Sequence, residues 1–204
     1  KDALDREMSE NSDIVPLALH ADRSDEIDGV LSALHYAVKH HDASFYFVVS
    51  DDLLVLPLNL RKYLTKKLND GNRYMGCMKS GAIVTEDGKG WYEPQHGRFG
   101  DGKDKSYPMH ARSAMFGFSR LVARHLARSR EVLSRYAHPD TTIGTWMLGL
   151  DVEYDDNELF CTDWRSCAAG KKPLGAKDPT CEGMCHPQNM EEGWKSCGAD
   201  APPG

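Results

Sequence analysis

The sequence predicts an α/β protein built on a mixed sheet. The first observation is the run Phe45–Ser50, whose aromatic and β-branched residues are typical of a strand buried on both faces. The second is the segment before it, where apolar residues recur at helical spacing after a short apolar run. The third is the abrupt end of the strand at Asp51 and Asp52, the kind of position at which open α/β sheets bind ligands.

Length and composition are those of a globular domain with its own core. The chain has 204 residues, 40% of them hydrophobic, and a net charge of −6 with both signs well mixed. This charge balance argues against a nucleic-acid partner. No apolar run of about eighteen residues is present, so we expect no membrane span within these residues. Because the chain opens on Lys1 and not on Met, we expect a fragment or a processed form.

Before the central strand, the sequence predicts a short strand and an amphipathic helix. Residues 1–12 are charged and predict a helix end or a lead-in. Residues 13–19 predict a strand, placed at an edge or a bulge by Pro16. Ser24 is expected to cap a helix whose apolar positions follow the i, i+3, i+4, i+7 series up to Val38. This strand–helix–strand order predicts parallel neighbours joined by a right-handed crossover.

After the acidic pair, the sequence predicts further helices and a strand interrupted by glycines, which often mark a β-bulge or a site of close backbone approach. A Gly-rich loop with aromatic residues follows this strand and is a candidate functional loop. In chain order, the expected elements are a helix from Pro57 to Leu68, a strand from Tyr74 to Val84, a short segment from Ala114 to Phe118, a helix from Ser119 to Tyr136, and a helical run through Trp146 to Leu150.

The adjacent carboxylates Asp51 and Asp52 are candidates for metal binding. Two neighbouring like charges need a counter-charge, which solvent or a bound cation can supply. Hard oxygen ligands suit Mg²⁺ or Mn²⁺, ions that commonly bridge a protein carboxylate to a substrate diphosphate. Taken alone, however, two aspartates after a strand are more often a plain acidic turn.

The cysteines predict disulfide bonds. An even count concentrated in a loop-rich tail is typical of an oxidising compartment, and six cysteines allow fifteen pairings that the sequence cannot separate. Zinc is the alternative, but Cys-x5-Cys and Cys-x3-Cys are not the usual spacing of zinc ligands. The six are Cys77, Cys161, Cys167, Cys181, Cys185 and Cys197.

Five short motifs follow one another along the chain. They are Tyr74–Gly81, Trp91–Pro94, Phe99–Asp101, Gly144–Trp146 and Gly149–Glu153. Together they resemble the plant and algal β-1,3-galactosyltransferases of the fringe-like glycosyltransferase family 31, with order and spacing agreeing from about Phe45 to Cys197. The resemblance implies a GT-A fold with a Rossmann-like mixed sheet. It implies a glycosyltransferase domain over residues 1–160, without its N-terminal nucleotide-binding strands, and a Cys-rich extension over residues 161–204.

The resemblance also implies an activity and a compartment. The reaction would be an inverting transfer of galactose, or a related hexose, from a UDP-sugar to a glycan or glycoprotein acceptor in β-1,3 linkage. The family's metal motif falls on Ser50, Asp51 and Asp52, which implies Mn²⁺ or Mg²⁺ bound by Asp52 and Asp51. The general base falls on Asp140. Family members are type II Golgi proteins facing the lumen, which implies a membrane anchor outside this chain.

Four further residues are implied to contact the donor or acceptor sugar. Trp91 and Tyr92 offer flat apolar faces to a sugar ring, and Glu93 could accept hydrogen bonds from its hydroxyls. His110 belongs to the loop that approaches the donor sugar in the family. Packing under a loop is the alternative for Trp91, and a helix N-cap is the alternative for Asp140.

Departures from the family pattern favour a second hypothesis, a catalytically degenerate member that binds glycan or protein. Ser50 replaces an aspartate of the metal motif, and the segment His110–Ala114 lacks the family's glycine. Tyr154 stands where the plant branch has a histidine, so no third metal ligand is assigned. A third hypothesis is a disulfide-rich binding module formed by residues 161–204.

Overall fold

A computed structural model describes residues 2–12, 14–17, 26–51, 53, 55, 57–102, 105–157 and 160. Within this part of the chain, helices cover both faces of one mixed sheet, as the fold class predicts. The elements are α1 (Asp2–Asn11), α2 (Glu26–His40), β1 (Phe45–Val49), α3 (Pro57–Thr65), β2 (Arg73–Ala82), a 3-10 turn (His96–Phe99), β3 (Ser106–Ser119), α4 (Arg120–Ser129), α5 (Pro139–Met147) and β4 (Glu153–Asp156). None of the described helices combines the length and the apolar character that crossing a bilayer requires.

The sheet has the strand order β1-β3-β2-β4. The central strand β3 is antiparallel to both β1 and β2, and β4 runs parallel to β2. The expected parallel neighbour before β1 is not found, because residues 14–17 form no strand and the described partner of β1 is antiparallel. Side chains of β1 pack into apolar clusters on both faces of the sheet, but only Tyr46 is fully buried, because β1 lies at an edge of the described sheet.

The amphipathic helix before β1 is confirmed as α2. Ile27, Leu31 and Leu34 are buried against the sheet, at the spacing that the sequence shows. Acidic residues lie in the first turn and basic residues in the last, an arrangement that complements the helix dipole. The expected cap Ser24 lies outside the described residues. The helix after the acidic pair is confirmed as α3, which begins at Pro57 as expected.

Two apolar clusters lie on opposite faces of the sheet, because successive strand side chains alternate between faces. On one face, Tyr74 and Phe118 stack at 5.5 Å beneath the helices α2, α4 and α5. On the other, Met75, Cys77 and Met115 pack with residues of α3. Cys77 is part of a disulfide bond. The other five cysteines and the predicted extension over residues 161–204 lie outside the described part, so the pairing stays a prediction.

The strand β3 is much longer than the segment Ala114–Phe118 that the sequence suggests. It runs for 14 residues, and its first half pairs with β2 through Tyr107, His110 and Ala111. The register between β2 and β3 shifts between Gly76 and Met78 and again between Lys79 and Gly81, so the ladder is irregular where the glycines lie.

The helix expected from Ser119 to Tyr136 is shorter, because α4 ends at Ser129. Val132, an apolar residue within the expected range, lies beyond this end and is 83% exposed. Ser119 occupies the N-cap position but makes no side-chain cap; its Oγ accepts a hydrogen bond from the Arg73 backbone N–H at 3.0 Å. The side chain of Ser119 therefore joins the start of α4 to β2.

Candidate active site

Asp140 lies in the first turn of α5, where its carboxylate is almost entirely buried. The helix begins at Pro139, whose fixed φ suits the first helical position, and an acidic residue in the first turn is favoured by the helix dipole. Asp140 Oδ1 accepts the Thr141 backbone N–H at 2.8 Å, and Oδ2 forms an ion pair with Lys79 Nζ at 2.9 Å. The N-cap position belongs to His138, so the N-cap alternative for Asp140 is wrong.

Three elements converge on this carboxylate. Lys79 of β2 and His110 of β3 are register partners, and both side chains reach Asp140 at the head of α5. His110 is 2% exposed; its Nδ1 lies 2.8 Å from the Pro108 carbonyl oxygen, and its Nε2 lies 3.8 Å from Asp140 Oδ2. Burial lowers the pKa of His110, because desolvation disfavours the charged imidazolium.

Gly144 allows α5 to lie this close to β3. A Cβ on Gly144 would overlap the Cβ of His110 and would lie 2.9 Å from the carbonyl oxygen of Met109. The backbone conformation of Gly144 is helical and requires no glycine, so the constraint is the close approach of strand and helix. The glycine of the Gly144–Trp146 motif therefore brings Asp140 and His110 together.

A pocket of about 150 Å³ opens over the buried carboxylate. Its lining combines a charged floor, a stretch of β2 backbone and an aromatic rim. The lining includes Lys79, Gly81, Trp91, His110, His138 and Asp140. The pocket therefore offers one paired carboxylate and aromatic faces at the same place.

Trp91 forms the rim of this pocket. Its side chain is 71% exposed, and its ring lies 5.0 Å from the ring of His138. The residue has a positive φ of 66°, which a side chain other than glycine adopts only where the surrounding structure requires it. Packing under a loop is therefore not its role. Tyr92 is half-buried beside it and forms a bridge with Val84.

Glu93 is fully buried and bonded to protein groups. One carboxylate oxygen accepts the backbone N–H of Gln95 at 2.9 Å. The other accepts the backbone N–H of Ala137 at 2.9 Å and the hydroxyl of Tyr107 at 3.3 Å. With 0% exposure, Glu93 offers no oxygen to a sugar hydroxyl, contrary to the expectation from the sequence. It instead ties the Trp91 loop to the segment that precedes α5.

The end of β1, unlike the pocket, is fixed by backbone hydrogen bonds and carries an exposed carboxylate. Ser50 donates its backbone N–H to Ala114 of β3 at 2.9 Å and accepts the Leu53 N–H at 3.2 Å, while Asp51 is exposed in a turn. Asp52, the expected direct metal ligand, lies outside the described residues. Among the residues that the structure describes, no group of three or more His, Cys, Asp or Glu side chains could hold a metal ion.

The carboxyl end of β1 and the pocket lie toward the same end of the strands. Because β1 and β2 are both antiparallel to β3, they run in the same direction. Ser50 bonds to Ala114, which is four residues from His110, so these two positions of β3 lie roughly 13 Å apart along the strand at about 3.3 Å per residue. That the Asp52 side chain faces the same cleft stays a prediction.

Sequence reasoning did not identify Lys79 and His138 as site residues. Lys79 stands inside the motif Tyr74–Gly81, but its role depends on an ion pair with a residue 61 positions away, which only the strand register and the packing of α5 establish. His138 stands just before Asp140 in the chain, and this closeness to the candidate base could have identified it as a site residue.

Comparisons with known proteins agree with the motifs. A family model described as galactosyltransferase matches residues 1–158. The chain is 35% identical over 169 residues to the probable beta-1,3-galactosyltransferase 3 of Arabidopsis thaliana, covering 79% of this chain and 41% of that protein. It is 36% identical over 170 residues to a hydroxyproline O-galactosyltransferase of the same plant, covering 80% and 49%. The chain thus spans less than half of the length of these two relatives.

Proposed function

The chain belongs to the galactosyltransferase family, and on that premise we propose that it is part of an inverting UDP-sugar hexosyltransferase. The enzyme moves galactose, or a related hexose, to a hydroxyl of a glycan or glycoprotein acceptor in β-1,3 linkage. The observation that carries the proposal is the position of Asp140, a buried and paired carboxylate on the floor of a pocket with an exposed tryptophan at its rim.

Asp140 is the general base of this reaction. Its carboxylate takes the proton from the acceptor hydroxyl as the hydroxyl oxygen forms a bond to the anomeric carbon of the donor. The bond between that carbon and the diphosphate oxygen breaks at the same time, and its electron pair leaves with UDP. A single displacement inverts the anomeric centre, and the transition state has oxocarbenium character. A carboxylate held by two protein contacts suits this role, because the base must stay aimed at the incoming hydroxyl.

The aromatic rim positions the sugar. Trp91 presents a flat face that packs against the C–H surface of a sugar ring, and the adjacent ring of His138 limits how the sugar can lie. His110 is buried and lines the pocket, whereas Tyr92 is half-buried and is not among the lining residues. A sugar ring stacked at the rim places its hydroxyls over Asp140.

A divalent ion is assigned to the end of β1, where the sequence places Asp51 and Asp52. Asp51 is exposed there, which suits an ion held by one or two carboxylates, by the phosphates of the substrate and by water. The Asp140 carboxylate is paired with the Lys79 ammonium and is assigned to the acceptor hydroxyl, so no metal is placed there. Asp51 and Asp52 would hold Mn²⁺ or Mg²⁺, which when bound supplies a positive charge that stabilises the departing diphosphate.

The proposed compartment is the Golgi lumen, where a membrane anchor in a longer parent chain would hold the domain. The disulfide bond of Cys77 supports an oxidising compartment, because such bonds are rare in the cytosol.

The test is transfer of galactose from UDP-galactose to a β-galactoside acceptor by the intact protein, with and without Mn²⁺. In Asp140→Asn, kcat should fall by about 10²- to 10⁴-fold, because the acceptor proton has no acceptor group. Asp151→Asn is the matched control, since Asp151 is exposed in the turn after α5. Unchanged turnover in Asp140→Asn would remove Asp140 as the base.

A catalytically degenerate protein that binds glycan or protein is the second candidate. The serine at position 50, where the family has a metal-motif aspartate, favours it. Calorimetry with UDP in the presence and absence of Mn²⁺ separates the two candidates. Metal-dependent binding of UDP supports the enzyme, and its absence supports the degenerate protein.

A further inference from the structure

We propose that Lys79 contacts the acceptor: its ammonium donates a hydrogen bond to the hydroxyl next to the one that Asp140 deprotonates. The pocket then recognises two neighbouring hydroxyls of a sugar and not a single alcohol. This inference rests on the proposed function, because it defines the acceptor of the same pocket more closely. It is carried by the exposure of Lys79, by its hydrogen-bonding capacity and by its position beside Asp140.

Lys79 is the accessible member of the ion pair on the pocket floor. Its side chain is 39% exposed, whereas that of Asp140 is 6% exposed, and both residues line the pocket. An ammonium carries three N–H donors, and the contact of Nζ with Asp140 Oδ2 at 2.9 Å uses one of them. Among the described residues, Nζ has no second partner, so two donors remain for a ligand.

Hydroxyl groups that surround Asp140 are engaged within the protein. Thr141 Oγ1 donates to the His138 carbonyl oxygen at 3.1 Å, and the hydroxyl of Tyr107 donates to Glu93 at 3.3 Å. Both side chains belong to buried residues of the lining. A sugar that displaced these bonds would leave buried polar atoms without partners, which is costly.

The two histidines of the lining are less open than Lys79. His110 is 2% exposed, and its Nδ1 lies 2.8 Å from the Pro108 carbonyl oxygen. The ring of His138 packs against the indole of Trp91, and its Nε2 atom is shielded from solvent. Lys79 therefore competes mainly with its neighbour Ser80, which is exposed and also lines the pocket.

The spacing of the ion pair matches that of two neighbouring hydroxyls. The hydroxyls on adjacent carbons of galactose lie about one hydrogen-bond length apart, as do Lys79 Nζ and Asp140 Oδ2. The carboxylate accepts hydrogen bonds, whereas the ammonium only donates them. The hydroxyl that gives up its proton therefore faces Asp140, while its neighbour accepts a hydrogen bond from Lys79.

This arrangement predicts which acceptors the enzyme rejects. For transfer to the 3-hydroxyl of a β-galactoside, the neighbours are the 2-hydroxyl and the 4-hydroxyl. An acceptor that lacks the neighbour bound by Lys79 forms no such bond. Because the bond involves a charged donor, we expect its loss to lower kcat/KM by about 10- to 100-fold. The analogue that lacks the other neighbour should keep nearly all of its kcat/KM.

The experiment measures kcat/KM for methyl β-galactoside and for its 2-deoxy and 4-deoxy analogues. It uses the wild-type protein, Lys79→Met and the control Lys66→Met, since Lys66 is exposed in the turn after α3. In the wild type and the control, one analogue should be about 10- to 100-fold worse than the parent sugar. In Lys79→Met, these two acceptors should agree within about twofold, because neither makes the contact. The KM for UDP-galactose should not change.

Lys79→Arg is the second variant, which serves if Lys79→Met does not fold. It keeps a positive charge beside Asp140, but its planar guanidinium places the donors differently, so the discrimination should again fall.

Three results would overturn the proposal. The first is a wild-type protein that uses all three acceptors equally well. The second is an equal loss of kcat/KM for all three in the Lys79 variants, because the discrimination then persists and Lys79 acts through Asp140 or through the fold. The third is discrimination that is lost in Ser80→Ala but kept in the Lys79 variants, which assigns the hydroxyl to Ser80.

Failure of this inference differs from failure of the proposed function. If transfer occurs and the Lys79 variants keep the discrimination, the inference alone fails. If the wild type transfers no galactose, the proposed function fails, and NMR titration of the protein with the same three galactosides decides. Weaker binding of one analogue to the wild type but not to Lys79→Met supports the contact. Equal binding, or no binding, overturns it.

Discussion

The floor of the pocket and the end of β1 are two acidic regions toward the same end of one sheet. They differ in whether their carboxylates are buried and paired within the protein. At the pocket floor, Asp140 is buried, paired with Lys79 and faced by His110. At the end of β1, Asp51 is exposed in a turn, and the contacts that fix the segment are made by the backbone of Ser50. In the first region, the negative charge of Asp140 is therefore balanced by a cation of the protein itself, Lys79.

The difference follows from what each region is proposed to do. A general base acts on a neutral hydroxyl, so its charge must be stabilised and aimed before the substrate arrives. A metal-binding strand end meets an ion and a diphosphate that bring their own charges, so open carboxylates suffice. Mutations at the pocket should therefore change both stability and activity, whereas mutations at the strand end should change activity alone.

The largest effect is expected for Gly144→Ala, which separates the two elements that build the pocket. The new Cβ would overlap the Cβ of His110, so α5 must move away from β3. We expect a loss of about 1–3 kcal/mol in the free energy of unfolding, measured by urea denaturation, and a strong loss of transfer. Gly149→Ala is the control, because nothing lies within 4 Å of the Cβ it adds. Equal stability of the two variants would show that the contact is not tight.

A smaller effect is expected for Glu93→Gln, which changes the hydrogen bonds of the buried Glu93 carboxylate. The glutamine keeps one acceptor oxygen but turns an amide NH₂ toward backbone N–H groups that need an acceptor. We expect a loss of about 1 kcal/mol in the free energy of unfolding, from a backbone N–H left without its partner. The acceptor KM should rise, because the Trp91 loop is held less firmly. Glu86→Gln on the exposed part of the same loop should change neither quantity.

The smallest effect on stability is expected for Asp51→Asn at the strand end. Its side chain is exposed, so the free energy of unfolding should change by less than about 0.5 kcal/mol. The Mn²⁺ concentration that gives half-maximal transfer should nevertheless rise, because one ligand charge is lost. Asp5→Asn on α1 is the control, since Asp5 is an equally exposed aspartate. An unchanged Mn²⁺ dependence would remove Asp51 from the metal site.

Elements with a strong local pattern were predictable. The helix α2 shows its apolar face as a regular series of residues, and α3 begins at the proline that suits its first turn. Elements without such a pattern were not. The strand β4 reads Glu-Tyr-Asp-Asp, and it forms because it pairs with β2 and because Arg73 binds Glu153 and Asp155. The first half of β3 likewise depends on its ladder with β2.

The candidate site divides in the same way. Asp140 and Trp91 were identifiable through motifs, and both line the pocket. Glu93 belongs to the same motif as Trp91, yet its side chain is bonded inside the protein. Neighbours in an extended or turning segment point in different directions, so a motif identifies a segment without deciding which of its side chains meets a ligand.

The sequence by itself determined the family, the α/β class and the carboxylate on which the chemistry depends, because these are recorded in residue types and their spacing. Only the tertiary structure decided which cation pairs with that carboxylate, why a glycine stands opposite a histidine, and which aromatic ring faces the pocket. The reason is physical: an ion pair at 2.9 Å and the packing of a helix on a strand depend on distances in space that residue order does not encode.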